Sequence, residues 1–120
     1  MEVMMMLVHD QPGVMQRVMG EFNRKRINVE TIVVGKCEML GRARIVLSIE
    51  DREKAMSVIE HLRALHEVIE ADLVDQDRHE AYALMCSKEG VCRVTGTVDE
   101  VDSVVRKSQP ERYIQAMNAI

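Results

Sequence analysis

The sequence predicts an α+β protein whose elements follow the order β-α-β-β-α-β over residues 3–74. Three observations lead there: a short unbroken apolar run near the start, two segments with apolar residues at helical spacing, and two Val- and Ile-rich runs flanking a Gly-containing stretch. This is the split βαβ arrangement of ferredoxin-like domains, in which both helices cover one face of a four-stranded sheet.

Each element has its own warrant. VMMMLV (Val3 to Val8) is apolar throughout and short, so it reads as a strand buried on both faces. After Asp10-Gln11-Pro12-Gly13, the residues Val14, Met15, Val18, Met19 and Phe22 put one stripe on a helix from about Pro12 to Lys25, with Pro12 suited to the first turn. INVETIVVG, in which Asn28 begins the strand, and ARIVLSI read as an antiparallel pair around Gly35 to Gly41. Asp51 caps a second helix, buried through Ala55, Val58, Ile59, Leu62 and Leu65, and VIEADLV (Val68 to Val74) closes the set. In INVETIVVG the apolar residues take both parities, Ile27 and Val29 and then Ile32 and Val34, which predicts that a second sheet or another subunit covers the far face.

The chain then divides. Residues 1–78 form the ferredoxin-like unit, and residues 79–120 a shorter one. AYALMC and VCRVTGT read as strands joined around Lys88 to Gly90, followed by a helix from about Asp99, Pro110, and a last strand near RYIQAMNAI. RVTGTVDEVDSVV repeats the strand, acidic cap and helix pattern of RIVLSIEDREKAMSVI, so the second unit is a degenerate ββαβ copy without a first helix. It is too small to fold by itself and is expected to pack on the first unit or on a partner subunit.

Composition narrows the function classes. The 120 residues are 47% hydrophobic and 30% charged, which describes a folded globular protein. A formal charge of −4 argues against nucleic acid, which needs clustered Lys and Arg. An RNA-recognition domain shares the element order but stacks bases on sheet aromatics, and this chain has two Tyr and one Phe, with Phe22 in the helix stripe. Three cysteines without C-x-x-C spacing (Cys37, Cys86 and Cys92) read as reduced thiols of a cytoplasmic protein. The opening apolar run, followed by His9 and Asp10, is too short for an export signal or a membrane span. His61 and His66 are five apart, unlike the spacing of a shared metal, and phosphate-binding glycine motifs are missing, so neither metal nor cofactor is expected.

Asp10-Gln11-Pro12-Gly13-Val14 is the stretch with chemistry in it. A strand entering a helix there points unpaired backbone N–H groups into the loop, a ready site for a carboxylate. Gly13 has no Cβ to keep a ligand from the backbone, and Asp10 with Asn28 offers oxygen acceptors for an ammonium group. Asn28 belongs to the opposite end of the unit, so one zwitterion would bridge two paired copies. The same residues also make an ordinary turn with a capping Asp.

The frame Asp10, Pro12, Gly13, Val14, Arg17, Val18, Gly20, Phe22, Ile27, Asn28, Val29 and Glu30 resembles an ACT domain, and more narrowly the regulatory (small) subunit of acetohydroxyacid synthase, also called acetolactate synthase. The resemblance covers residues 3–74, and the family carries a second ACT-like half. It implies a non-catalytic protein that binds a small amino acid, typically valine, at a homodimer interface and alters the activity of a catalytic synthase chain. By position, the effector residues are Asp10, Gln11, Pro12, Gly13 and Val14, with Asn28 and Val29 from the partner copy. The family often has Asn where Asp10 stands. A stand-alone ACT regulator, a structural subunit without effector and a small ferredoxin-like enzyme are the other readings, the last lacking a convergent nucleophile, base and oxyanion set.

Overall fold

In a computed structural model that describes residues 1–119, seven strands and three helices build two antiparallel sheets. Ile120, the last residue of the predicted final strand, lies outside the described residues. The first sheet holds β1 (Glu2–His9), β2 (Thr31–Lys36), β3 (Arg42–Ile49) and β4 (Val68–Leu73) in the order β2-β3-β1-β4. Helices α1 (Val14–Arg24) and α2 (Arg52–Arg63) link β1 to β2 and β3 to β4, completing the predicted β-α-β-β-α-β order.

The helical stripes explain the core. Val14, Val18 and Phe22 from α1 and Ala55, Val58, Ile59 and Leu62 from α2 pack on Met4, Met6 and Val8 of β1 and on Ile45, Leu47 and Ile49 of β3. Met4 and Met6 are fully buried, the role unbranched Met fills well in an irregular interior. Asp51 caps α2 by accepting a hydrogen bond from the Lys54 N–H (3.2 Å).

Three expectations about the first unit need correction. Helix α1 begins at Val14 rather than Pro12, because Gly13 adopts φ 88°, a left-handed conformation that no helix continues. Pro12 therefore lies in the turn before the helix. Strand β2 begins at Thr31, so Asn28 precedes it; α1 ends at Arg24, Arg26 takes φ 56°, and the Ile27 N–H returns to the Phe22 carbonyl (2.9 Å), which drops Ile27 into the helix-side core before the strand starts. The mixed parity of INVETIVVG thus comes from two different segments, and Ile32 and Val34 stay exposed on the edge strand at 39% and 46%.

The far face of the first sheet is nonetheless partly covered. A single 3-10 turn (Gln76–Arg78) leads into β5 (His79–Ser87), which pairs with β6 (Gly90–Gly96) and with β7 (Arg112–Ala119) in the order β6-β5-β7. Helix α3 (Val98–Ser108) covers one face of this second sheet through Val101 and Val105. Val3 and Val46, on the far face of the first sheet, share a buried cluster with Ala81, Met117 and Ala119 of the second. Set against the first unit, β5, β6, α3 and β7 occupy the places of β1, β3, α2 and β4; a turn at Lys88 and Glu89 stands where a helix and an edge strand would be.

Candidate functional site

β1 ends at His9, and its neighbours gather their ends around it. His9 pairs with Arg42 across β3, its N–H donates to the Glu67 carbonyl (3.0 Å), and the Asp10 N–H donates to the Gly41 carbonyl (3.0 Å). The loop from Asp10 to Gly13 is thereby enclosed by the β2–β3 hairpin on one side and the start of β4 on the other. Asp10, Gln11, Pro12 and Gly13 are all exposed, whereas Val14 turns into the core at 5%.

The start of α1 differs from that of the other two helices. Thr97 caps α3 by accepting from the Glu100 N–H (3.1 Å), as Asp51 does for α2. Gly13 occupies the corresponding position of α1 with no side-chain cap, and there is no acidic residue in the first turn. The Val14 N–H reaches the Gln11 carbonyl at 3.3 Å, but the first-turn N–H groups beyond it have no side-chain acceptor, which leaves the positive end of the helix dipole open to an anion. A Cβ built on Gly13 meets nothing within 4 Å, so the space above the backbone is free. The alternative in which Asp10 is a helix cap is not what the structure contains.

Two further residues join the loop that the sequence did not assign. Arg17, on the second turn of α1, sets its Nε 2.7 Å from Glu67 Oε2 and so ties the helix to the beginning of β4. Arg17 stood in the resemblance frame, but its partner lies fifty residues away in sequence, and only the β1–β4 register brings it close. In the sequence Gly41 reads only as a hairpin residue, whereas pairing β1 with β3 in register places it beside Asp10.

Asn28 and Val29 are not part of this cluster. Asn28 is exposed and donates from Nδ2 to Glu30 Oε1 (3.0 Å), and the Glu30 N–H donates to the Ser48 carbonyl (2.9 Å) at the other end of β3. From Arg42 to Ser48 the strand runs roughly 20 Å at about 3.4 Å per residue. Within one protomer the two groups of predicted site residues are therefore at opposite ends of the sheet.

The electrostatic feature of this end is the hairpin pair. Arg44 donates from both Nη atoms to Glu38 Oε1 and Oε2, at 2.9 and 3.0 Å. The hydrogen bonds from Arg44 hold the Glu38 carboxyl down at about 2, and the same pair raises the Arg44 guanidinium. Among the described residues, no cluster of three or more His, Cys, Asp or Glu side chains has the geometry of a metal site, and no helix is long and apolar enough to cross a membrane.

Comparison with known proteins supplies the context for this loop. Over 101 residues the chain is 28% identical to a probable acetolactate synthase small subunit of Archaeoglobus fulgidus, an alignment covering 83% of this chain and 64% of that protein. It is 40% identical over 73 residues to the acetolactate synthase small subunit of Mycobacterium bovis, covering 59% of this chain and 42% of that one. The chain thus spans less than two thirds of the length of these relatives. The fold superposes on the acetolactate synthase small subunit of Thermotoga maritima with a TM-score of 0.80 at 22% identity, over 99% of this chain and 95% of that one. The regulatory subunit of aspartate kinase from Thermus thermophilus superposes with a TM-score of 0.55 at 16% identity, over 90% and 91%. Residues 4–70, more than half of the chain and the whole of the loop, match the AHAS small subunit-like ACT domain, and the protein belongs to that family.

Proposed function

We propose that this chain is a non-catalytic regulatory subunit that binds a small amino acid and modulates a catalytic acetolactate synthase chain. The observation that carries the reading is the start of α1: an exposed Gly13 in the left-handed conformation, free space above it, and first-turn N–H groups with no side-chain cap. Such an end binds a carboxylate. The ammonium group of the same ligand meets acceptors on Asp10 of one protomer and Asn28 of a second, with Gln11, Pro12, Val14 and Val29 as neighbours.

The open edge supports a two-chain site. β2 pairs only with β3, and its Ile32 and Val34 are exposed. Antiparallel pairing of two β2 strands sets the Thr31 end of one against the Lys36 end of the other, so Asn28 of one copy comes to the Asp10 end of its partner. A branched-chain ligand, valine first, is the effector this reading expects, with the backbone of Val14 rather than its buried side chain facing the ligand.

The test is a thermal-stability screen against the proteinogenic amino acids, since a ligand that binds only the folded state raises its stability with concentration. Valine, leucine or isoleucine is expected to raise the midpoint, and Asn28→Ala to abolish the rise. No shift with any amino acid would replace this reading with that of a structural subunit lacking an effector.

A further inference from the structure

The ion pair beside the candidate effector loop is lopsided. The Glu67 side chain is 17% exposed and its Oε1 is buried with no hydrogen-bond partner, whereas Arg17, 2.7 Å away through Nε, is 60% exposed. An arginine that only ties two segments together uses both ends of the pair. Arg44 does so, giving both Nη nitrogens to Glu38 at 2.9 and 3.0 Å and leaving 24% of its side chain exposed. Arg17 engages through Nε, and among the described residues its two Nη nitrogens make no hydrogen bond.

That open edge lies over the start of α1. The Arg17 N–H donates to the Gly13 carbonyl (3.1 Å), which sets Arg17 one turn after Gly13, and a helical side chain leans back over the turn that precedes it. The far end of the side chain is held by Glu67, whose carbonyl accepts the His9 N–H just before Asp10. The guanidinium therefore walls the loop on the β4 side, opposite the Gly41 contact on the β3 side. The other arginines at this end turn away. Arg42 and Arg44 alternate with Ala43 and Ile45, which face the helices, so both share the far face with Val46. Arg52 is as open as Arg17, at 72%, but it begins α2, whose first turn Asp51 already caps.

We infer that Arg17 binds the carboxylate of the effector through its Nη nitrogens, alongside the uncapped N–H groups of α1, and that Glu67 is the positioning residue that holds it there. The inference rests on the proposed function and deepens it, by naming the side chain that reads the ligand's carboxylate. The planar edge of a guanidinium offers two parallel donors to the two oxygens of a carboxylate. The half-buried Glu67 fixes the side chain before the ligand arrives, so binding does not carry the cost of ordering it. Such a site takes amino acids with a free α-carboxylate and rejects their carboxamides.

The experiment is calorimetric titration of the whole chain with valine, leucine and isoleucine and with the carboxamide of each. Arg17→Gln, Glu67→Gln, the double variant and, as a control, Arg52→Gln are compared with the wild type. Arg17→Gln is expected to weaken the amino acids at least about tenfold, the scale of a charge-assisted contact, while the carboxamides bind as weakly as they do to the wild type. Glu67→Gln is expected to weaken the amino acids in the wild-type chain and to have no further effect on Arg17→Gln, since it acts through Arg17. Arg52→Gln is expected to bind like the wild type. Should Arg17→Gln be unstable, the double variant carries the same test, because it also removes the buried charge left without a partner. Wild-type amino-acid affinity in Arg17→Gln or the double variant, or an equal loss for amino acids and carboxamides, overturns the inference while the proposed function stands. A further loss on adding Glu67→Gln to Arg17→Gln overturns the positioning role of Glu67. A wild type that binds none of the three amino acids overturns the inference and the proposed function together.

Discussion

Gly13 carries the most consequence of any single residue. Its φ of 88° is open to glycine and strained for other L-residues, and a β-branched side chain suffers most. Gly13→Val is expected to cost about 1–2 kcal/mol from backbone strain alone, since the space around a Cβ is free, lowering the midpoint of unfolding by several degrees. The same variant covers the helix N-terminus, so the valine-induced shift is expected to vanish although the protein still folds. Asp10 makes the complementary case. Its carboxylate caps nothing, so Asp10→Ala is expected to leave stability within about 0.5 kcal/mol in denaturant titration while weakening the response to amino acids. A loss near 1 kcal/mol would show Asp10 to be an ordinary capping residue after all. The loop itself was legible because its chemistry is local: Pro-Gly after an apolar strand marks the turn into α1. Arg17 with Glu67, and Asp10 with Gly41, were not legible, because each pair meets only through strand register, which composition and periodicity do not encode.

At the scale of elements, the helices and strands followed from their patterns, and the misplaced boundaries have physical causes. The left-handed Gly13 pushed the start of α1 two residues along, and the left-handed Arg26 turned Ile27 inward ahead of β2. Capping separates the helices: α2 and α3 carry a side-chain cap and α1 does not. Thr97→Ala and Asp51→Ala are each expected to lose about 1 kcal/mol of stability by removing a hydrogen bond to a first-turn N–H, as measured by urea unfolding. The β2–β3 hairpin has its own pH dependence. Glu38 has a folded pKa of about 2 against an ordinary 4.5, so its pairing with Arg44 is complete above the higher value and is lost as pH falls through the lower one. An NMR titration is expected to show the Glu38 carboxyl still ionised at pH 3, with the signals of Met39 and Leu40 changing only toward pH 2. A carboxyl titrating at its ordinary value would mean that the Arg44 pair does not persist in solution. Because the pair is on the surface, global stability is expected to change little over that range.

For the whole molecule, the decisive contact is between the sheets. Val46 is 2% exposed and Val3 1%, and both are covered by residues of the second sheet rather than by either helix of the first. Val46→Ala is expected to destabilise by roughly 2 kcal/mol, as core truncations do, and to speed amide exchange in β7 more than in α1 or α2. The open β2 edge makes the opposite kind of prediction. Val34→Lys, at an exposed position, is expected to leave folding intact while abolishing self-association in sedimentation measurements, and an unchanged mass would refute dimerisation through that edge. That the first sheet needed a cover was visible in sequence, though from a parity argument that mixed two segments. The source of the cover, a unit reduced to three strands and one helix whose β7 overlies β2 and β3, is a tertiary contact that no local pattern in the sequence encodes.

The shared cluster of Val3 and Val46 also bears on how the chain survives cutting. Protease attack in the exposed 3-10 turn at Gln76 to Arg78 would sever the two units while leaving every hydrogen bond of the first sheet in place. The released fragment would still hold its fold around the buried methionines, but it would present two valines and the adjoining Met5 to water on a flat face. Such a fragment is expected to be well folded and poorly soluble, as light scattering after limited proteolysis would show, because the cover over Val3 and Val46 has been removed.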